Sequence, residues 1–363
     1  MDKDIKEVLG EIDKLNPYAS FLNDGALSTV DGWLDTGSMV LNGIVSGSLY
    51  GGIPKNRLTM LAGPSMTGKS FIVQKILANA QKDGLIPIIF DSENAIDKDG
   101  AAALGLDPEK VKYVPTFSIE ECRNQIYSLL TKAKEKGQVG KFIIAIDSLG
   151  NMESELQINR MEKQSTSADM GSRAKAVKSL LRTCTQLAAV TKTTILVTNH
   201  IFDDPSAMFP SLVKEMPGGR SAVYLPSVTI QLARKPVKED KDTDAKLAVG
   251  QKNYSGVILR ALTAKNRFVK QYLEGEMYLS FESGLNKYYG LLELAVGFGV
   301  IQQTGSTYQL PDGTKLGYYS KWKNDHGLWD KTIIPGIEEK IKVEWKYGNN
   351  AGKEDKIPDE VEE

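Results

Sequence analysis

Histidine and cysteine are nearly missing from this chain of 363 residues, which holds two of each. Cys122 and Cys184 stand too far apart for a CxxC pair, and His200 and His326 offer no zinc-ligand spacing. That excludes a metal site built on those residues and leaves two structural, buried thiols as the reading. Long apolar runs are missing as well. Ile143 to Ile146 is typical of the longest, far short of the roughly 18 residues that cross a bilayer. The start, MDKDIKEVLG, has no apolar signal core, so a cytoplasmic protein is expected. Nor is there a surplus of positive charge. Lys and Arg number 45 against 46 Asp and Glu, a formal net charge of −1, so a polyanionic partner would have to be met by a local basic surface.

What the chain does have is alternation. Apolar, β-rich segments (RLTMLAG, PIIFDSE, KFIIAIDS, TTILVTNH) are interleaved with amphipathic helical patterns starting at Ser70, near Ile119 to Lys136 and near Gly171 to Val190. This predicts an α/β fold with a largely parallel sheet flanked by helices. Further strands are expected at Ser227 to Ala233 and Gly256 to Ala264, joined through KPVKEDKDTDAKLAVGQKN, whose charge predicts a hairpin tip or loop. The predicted division is an N-terminal segment over 1–30, a core over 31–283, a small α+β subdomain over 284–347 with helices at Tyr289 to Phe298 and around IPGIEEKI, and an acidic, disordered tail over 348–363.

Between the first strand and its helix lies GPSMTGKS, Gly63 to Ser70, a full match to GxxxxGK[ST] in the strand-to-helix context that the motif requires. Gly63 and Gly68 let the backbone curl so that its amides point inward. Pro64, Ser65, Met66 and Thr67 complete the loop, Lys69 reaches terminal phosphates, Ser70 offers a hydroxyl to magnesium, and Phe71 opens the helix. The turn therefore holds a nucleoside triphosphate. Asp147 ends the strand KFIIAIDS, where a carboxylate supports the metal or caps the following turn. Asp91 and Glu93 both end IIFDSEN, and spacing leaves either as the carboxylate that deprotonates an attacking water. His200 closes VTNH, as a sensor of the terminal phosphate or as a hydrogen-bonded strand end.

Two long polar segments leave the same edge of the sheet, NMESELQINRMEKQSTSADM after Asp147 and IFDDPSAMFPSLVKEMPGGR after His200. Connections this long are functional or disordered. The first carries Arg160 and Lys163 and ends at Met170 and Gly171. The second carries Met208, Phe209, Gly218, Gly219 and Arg220. Exposed Phe and Met among glycine and cations suit wedging against unstacked bases, and lids over a small substrate are the alternative. On the helix between them Lys175, Lys178 and Arg182 share one face, open to DNA or to solvent.

In order and spacing, GPSMTGKS, IIFDSENAID, KFIIAIDSLGN, ADMG, LVTNHIF, MF with PGGR, LTAKNRFVK and SGLNKYYGLLELAVGFGVI make the chain resemble the RecA family of recombinases, closest to the phage UvsX type, from about Asp31 to about Lys340. The resemblance implies a RecA-like P-loop ATPase that uses ATP and Mg2+ to form helical filaments on single-stranded DNA and to exchange strands with homologous duplex DNA in a bacterial cell or phage-infected host. Mediator and single-strand-binding proteins are further partners it suggests. It implies Glu93, not Asp91, as the catalytic carboxylate, with Lys69 and His200 beside it. Ser70 and Asp147 would serve the metal, and Lys265 and Arg267 would be cations that reach a neighbouring subunit's ATP. Where many relatives place an aromatic ring on adenine this chain has Gly100, while Asp97 is kept to hydrogen-bond the base. A hexameric helicase on the same core and a non-catalytic ATP-binding mediator are the competing expectations.

Overall fold

The computed structural model describes residues 2–24, 27–163, 171–202, 212–238 and 254–348. Its frame is one nine-stranded sheet: β1 Leu58–Ala62, β2 Ile86–Asp91, β3 Lys112–Pro115, β4 Phe142–Asp147, β5 Thr194–Asn199, β6 Val228–Lys238, β7 Tyr254–Asn266, β8 Glu274–Ser280 and β9 Gly284–Leu285. The spatial order is β9-β8-β7-β6-β1-β5-β4-β2-β3. From β6 to β3 every neighbouring pair is parallel, whereas β7, β8 and β9 add on antiparallel. The expected largely parallel sheet is present, and its β6 and β7 run further into the charged connection than the apolar residues alone indicated. Residues 239–253 of that connection, and the tail from 349, lie outside the described residues.

Because side chains alternate across a strand, each strand feeds two cores. Leu61, Ile89, Ile143, Ala145, Leu196 and Ile230 face one side. There they meet Ile72, Val73, Ile76 and Leu77 of α3 (Lys69–Lys82). Met60, Phe90, Ile144, Ile146 and Val197 face the other. They meet Cys122, Ile126 and Leu130 of α5 (Ile119–Glu135) and Val177, Leu180, Leu181 and Cys184 of α7 (Ser172–Val190). Both cysteines are free and buried, as expected. Burial alone pushes the Cys184 thiol up to about 12, so it packs as an apolar group.

The C-terminal part carries a helix at Leu291–Gly297, a three-stranded sheet over Gln302–Thr304, Thr307–Gln309 and Lys315–Tyr318, and a helix at Ile334–Glu344. Ile337, Ile341 and Trp345 join the same apolar cluster as Leu41 and Ile44 of α2 (Met39–Ser46). The contact is fixed by Glu338, whose carboxylate accepts from Ser48 Oγ at 2.6 Å and from the Leu49 amide at 2.7 Å. In the N-terminal helix α1, Lys3–Leu15, no residue is buried, and Ile5, Val8 and Ile12 stand exposed on it. No helix among the described residues is long and apolar enough to cross a membrane.

The first polar segment is not all loop. Glu155–Glu162 forms a short helix, α6, begun by a capping box in which Ser154 and Gln157 satisfy one another's backbone amides. The S-x-x-Q signal for this was present in the sequence.

Candidate nucleotide site and DNA-facing surface

Parallel strands all deliver their C-terminal ends to one edge, and the register brings the acidic ends level. Ala62 is opposite Asn199, and Asp91 is opposite Asp147. Beyond Ala62 the chain turns through Gly63 to Ser70. Gly68 takes a φ of 74° and starts α3 without a side-chain cap, leaving the leading amides of the helix for an anion. A Cβ on Gly63 would lie 2.7 Å from both the Leu232 carbonyl oxygen and Thr67 Oγ1, so the curl admits only glycine there. Thr67 Oγ1 donates to the Pro64 carbonyl at 2.8 Å, and the Lys69 ammonium donates to the carbonyls of Gly63 at 3.0 Å and Pro64 at 2.9 Å. Burial lowers the Lys69 pKa, and the charges of Asp147 and Glu93 draw it back up.

The Asp147 carboxylate accepts from Thr198 Oγ1 and has the Ser70 hydroxyl beside it. Burial raises the Asp147 pKa while these two hydroxyls pull it down. A hydroxyl beside a single carboxylate, next to a phosphate cradle, is the donor set of a magnesium ion that completes its shell with phosphate oxygens and water. The residues fit that group: Ser70 and Asp147 would hold it, and when bound it would offset phosphate charge.

Asp91 and Glu93 part company here. Asp91 is buried and accepts four backbone amides, from Glu93 (2.8 Å) and Asn94 (2.9 Å) on Oδ1 and from Ala95 (3.1 Å) and Ile96 (3.3 Å) on Oδ2. It builds the turn. Glu93 stands on that turn with its side chain about a third exposed (32%), its Oε1 3.5 Å from His200 Nε2. The same ring nitrogen is 3.5 Å from Ser148 Oγ. Glu93 is thus the carboxylate that can act on a water. Neither the architectural role of Asp91 nor the support from Thr198 follows from residue spacing, although a strand-ending Asp before Ser-Glu-Asn is a turn signal.

Asp97 caps α4 (Lys98–Ala103) by accepting the Gly100 amide at 2.8 Å. A Cβ on Gly100 would come 2.8 Å from Asp97 Oδ2, so a larger residue at 100 would disturb this cap. Phe71 is half-buried, with its Cζ 3.4 Å from where a Cβ on Gly284 would stand.

Lys265 and Arg267 lie at the other edge. They flank the end of β7, and because β7 runs antiparallel to β6, Asn266 is paired with Val228, the first residue of β6. Their own phosphate loop is one strand length away. Asn266 is pinned to the carbonyls of Ile44 (3.2 Å) and Val45 (2.9 Å). Arg267 is exposed, while the Lys265 ammonium is docked on the carbonyls of Tyr224 and, at 2.6 Å, Pro226. Lys265 lines a cavity of about 390 Å³ with Lys214, Arg220, Tyr224 and Tyr272. Burial, joined by the Arg267 charge, brings the Lys265 ammonium down to about 8.

The DNA candidates gather around α7. Lys175, Lys178 and Arg182 are exposed along it, and Gly171 begins it at a φ of 81°. Arg160 is part of α6, and Lys163 ends that helix, exposed. Gly218 packs on α7, where a Cβ would meet Val177 Cγ1 at 2.4 Å. Gly219 begins α8 (Arg220–Tyr224), and Arg220 is exposed. The ends of both polar segments thus meet one helix. Met170, Met208 and Phe209 lie outside the described residues.

A family model described as the RecA N-terminal domain matches residues 3–286. Among curated relatives, the protein RecA of Paenarthrobacter aurescens is 26% identical over 319 residues, covering 87% of this chain and 84% of the relative. The protein RecA of Aquifex aeolicus is 26% identical over 310 residues, with 85% and 83% covered. A protein of Enterobacteria phage T4 described as a recombination and repair protein is 28% identical over 264 residues, covering 72% of this chain and 63% of the relative.

Proposed function

Because the chain belongs to the RecA family, we propose that it is an ATP-dependent recombinase that assembles head to tail into a helical filament on single-stranded DNA. There it hydrolyses ATP to ADP and phosphate and exchanges strands with a homologous duplex. The phage relative's description as a recombination and repair protein points the same way.

One observation carries the reading: Lys265 and Arg267 stand at the edge of the sheet opposite their own Lys69 and Ser70. They cannot serve the nucleotide of their own subunit, but they can serve that of the next one. A contact between two different surfaces of identical subunits does not close on itself and produces a helix. Cations that arrive only with the neighbour make ATP favour the assembled state, and hydrolysis removes that advantage. Residues 1–30 suit packing on a neighbour, since α1 leaves Ile5, Val8 and Ile12 uncovered. Within the site Lys69 and the leading amides of α3 bind the terminal phosphates, Ser70 and Asp147 hold the metal, and Asp97 faces the base. Glu93 takes the proton of the attacking water, with His200 at its side. Arg160, Lys163, Gly171, Lys175, Arg182, Gly218, Gly219 and Arg220 form the single-strand surface, and Met170, Met208 and Phe209, outside the described residues, are assigned to strand binding from the sequence. Electron microscopy with single-stranded DNA and a non-hydrolysable ATP analogue is expected to show extended filaments. Closed rings would favour a helicase, and absence of assembly would favour a mediator.

Assembly is also expected to depend on pH. Lys265 in the free subunit keeps its charge below about 8 and loses it above, so the ATP concentration needed for half-maximal filament formation should rise as pH passes through that value. Lys265→Arg carries a guanidinium that does not titrate there and should flatten the profile. An unaltered profile in this variant would mean that Lys265 does not supply the dependence.

A further inference from the structure

Arg173 takes no part in the phosphate chemistry above, yet its side chain is tied to the residues that do. It is the second residue of α7, at the end of the first polar segment. From there its guanidinium turns back across the base of that segment. Nε donates to the Met152 carbonyl at 3.0 Å, and a terminal amino group donates to the Gly150 carbonyl. Both carbonyls belong to the short turn that follows Asp147 and Ser148.

Gly150 in turn is pressed against His200. A Cβ built on Gly150 would lie 2.4 Å from the imidazole Cδ2, 3.2 Å from Cγ and 3.4 Å from Asn199 Oδ1. The turn held by Arg173 is therefore the wall against which the His200 ring rests. The ring atom bonded to Cδ2, Nε2, lies 3.5 Å from Glu93 Oε1 and 3.5 Å from Ser148 Oγ. At the other end of the line, Gly171 starts α7 in the left-handed region and provides no side-chain cap; Arg173 ties the first turn of α7 to the strand-end turn, beside a contact of 3.1 Å between the hydroxyls of Ser172 and Ser154.

We propose that Arg173 is a positioning residue that couples the first DNA-facing segment to the hydrolytic carboxylate, through the Gly150 turn and the His200 ring. The coupling rests on the reading of the chain as a DNA-dependent ATPase. The links are two hydrogen bonds from the guanidinium, the close approach of Gly150 to the ring, and a 3.5 Å approach of Nε2 to Glu93 Oε1, so the path is contiguous. A guanidinium is suited to it because its planar fork donates in two fixed directions at once. A displacement of the start of α7 by a bound strand is carried to the two carbonyls, from them to the ring that Gly150 abuts, and so to Glu93.

The test compares full-length wild type, Arg173→Ala and Arg173→Lys for ATP turnover with and without single-stranded DNA, and for single-strand affinity at one salt concentration. In Arg173→Ala the factor by which DNA stimulates turnover should fall by about fivefold or more, with DNA-independent turnover and affinity within about twofold of wild type. Arg173→Lys, which can reach one carbonyl, should lie between the two. Full stimulation in Arg173→Ala overturns the coupling, as does a loss of basal and stimulated turnover in equal proportion, which marks a merely structural role. Should Arg173→Ala fail to fold, Gly150→Ala decides, because it disturbs the His200 ring while keeping the arginine. Loss of stimulation there with basal turnover kept supports the coupling, and full stimulation, or loss of basal and stimulated turnover in equal proportion, overturns it. A wild type whose turnover ignores DNA would overturn the underlying ATPase reading, and the coupling with it.

Discussion

Replacing Glu93 by glutamine is expected to slow ATP turnover by about 100- to 10,000-fold while leaving ATP binding and filament formation on DNA intact. The amide keeps the size of the carboxylate and an oxygen that can orient a water, but it has no basicity with which to accept a proton. In the proposed site, binding rests elsewhere, on Lys69 inside the curl of Gly63 and Pro64 and on the leading amides of α3. The backbone under Glu93 is held by Asp91 and not by the Glu93 charge, so the loop should keep its path in the variant. The result predicted is therefore long-lived filaments that do not turn over. Steady-state phosphate release, read beside electron microscopy of the same samples, separates the two effects. Wild-type turnover in Glu93→Gln would assign proton acceptance to another group, and loss of filaments would mean that the carboxylate also builds the interface.

How much of this was legible in the sequence depends on the distance over which each feature is decided. The phosphate loop is local: eight consecutive residues fix its curl, and the structure adds only the contacts that make Gly63 and Gly68 obligatory. Asp147 was legible as the polar end of an apolar strand. The difference between Asp91 and Glu93 was not, because both are carboxylates at the same strand end. Only the path of the following turn decides which of them is consumed by amides. The edge on which Lys265 and Arg267 stand follows from the antiparallel register of β7 on β6, and residue spacing around Asn266 contains no trace of it. Gly150 reads as an ordinary turn glycine. Its contact with His200, fifty residues later, exists because β4 and β5 are sheet neighbours. Likewise Gly100 looks like a lost aromatic until Asp97 is seen capping the helix over it.

The companion variant, Asp91→Ala, should fail in the opposite way, by weakening the fold. Asp91 is 1% exposed. Its two oxygens receive the amides of residues 93 to 96 and, at 3.2 Å, the hydroxyl of Tyr113 on the edge strand β3. Asn94, at a φ of 53°, holds a backbone conformation that a non-glycine residue rarely adopts without support. Alanine would leave the donors of this turn without their acceptor, and some would be recovered by water because the turn is partly exposed. A loss of about 2–4 kcal/mol of stability is expected, against less than about 0.5 kcal/mol for Glu93→Gln. Asparagine at 91 should be intermediate, since it keeps one acceptor oxygen but turns an amide group toward the other pair of donors. Urea unfolding followed by circular dichroism distinguishes the cases. If Asp91→Ala unfolds at the wild-type midpoint, then the turn stands without its carboxylate and Glu93 owes its position to something other than Asp91. If the midpoint falls while the surviving folded protein still binds ATP, the two acids, two positions apart in the chain, divide cleanly into one that holds the site and one that works in it.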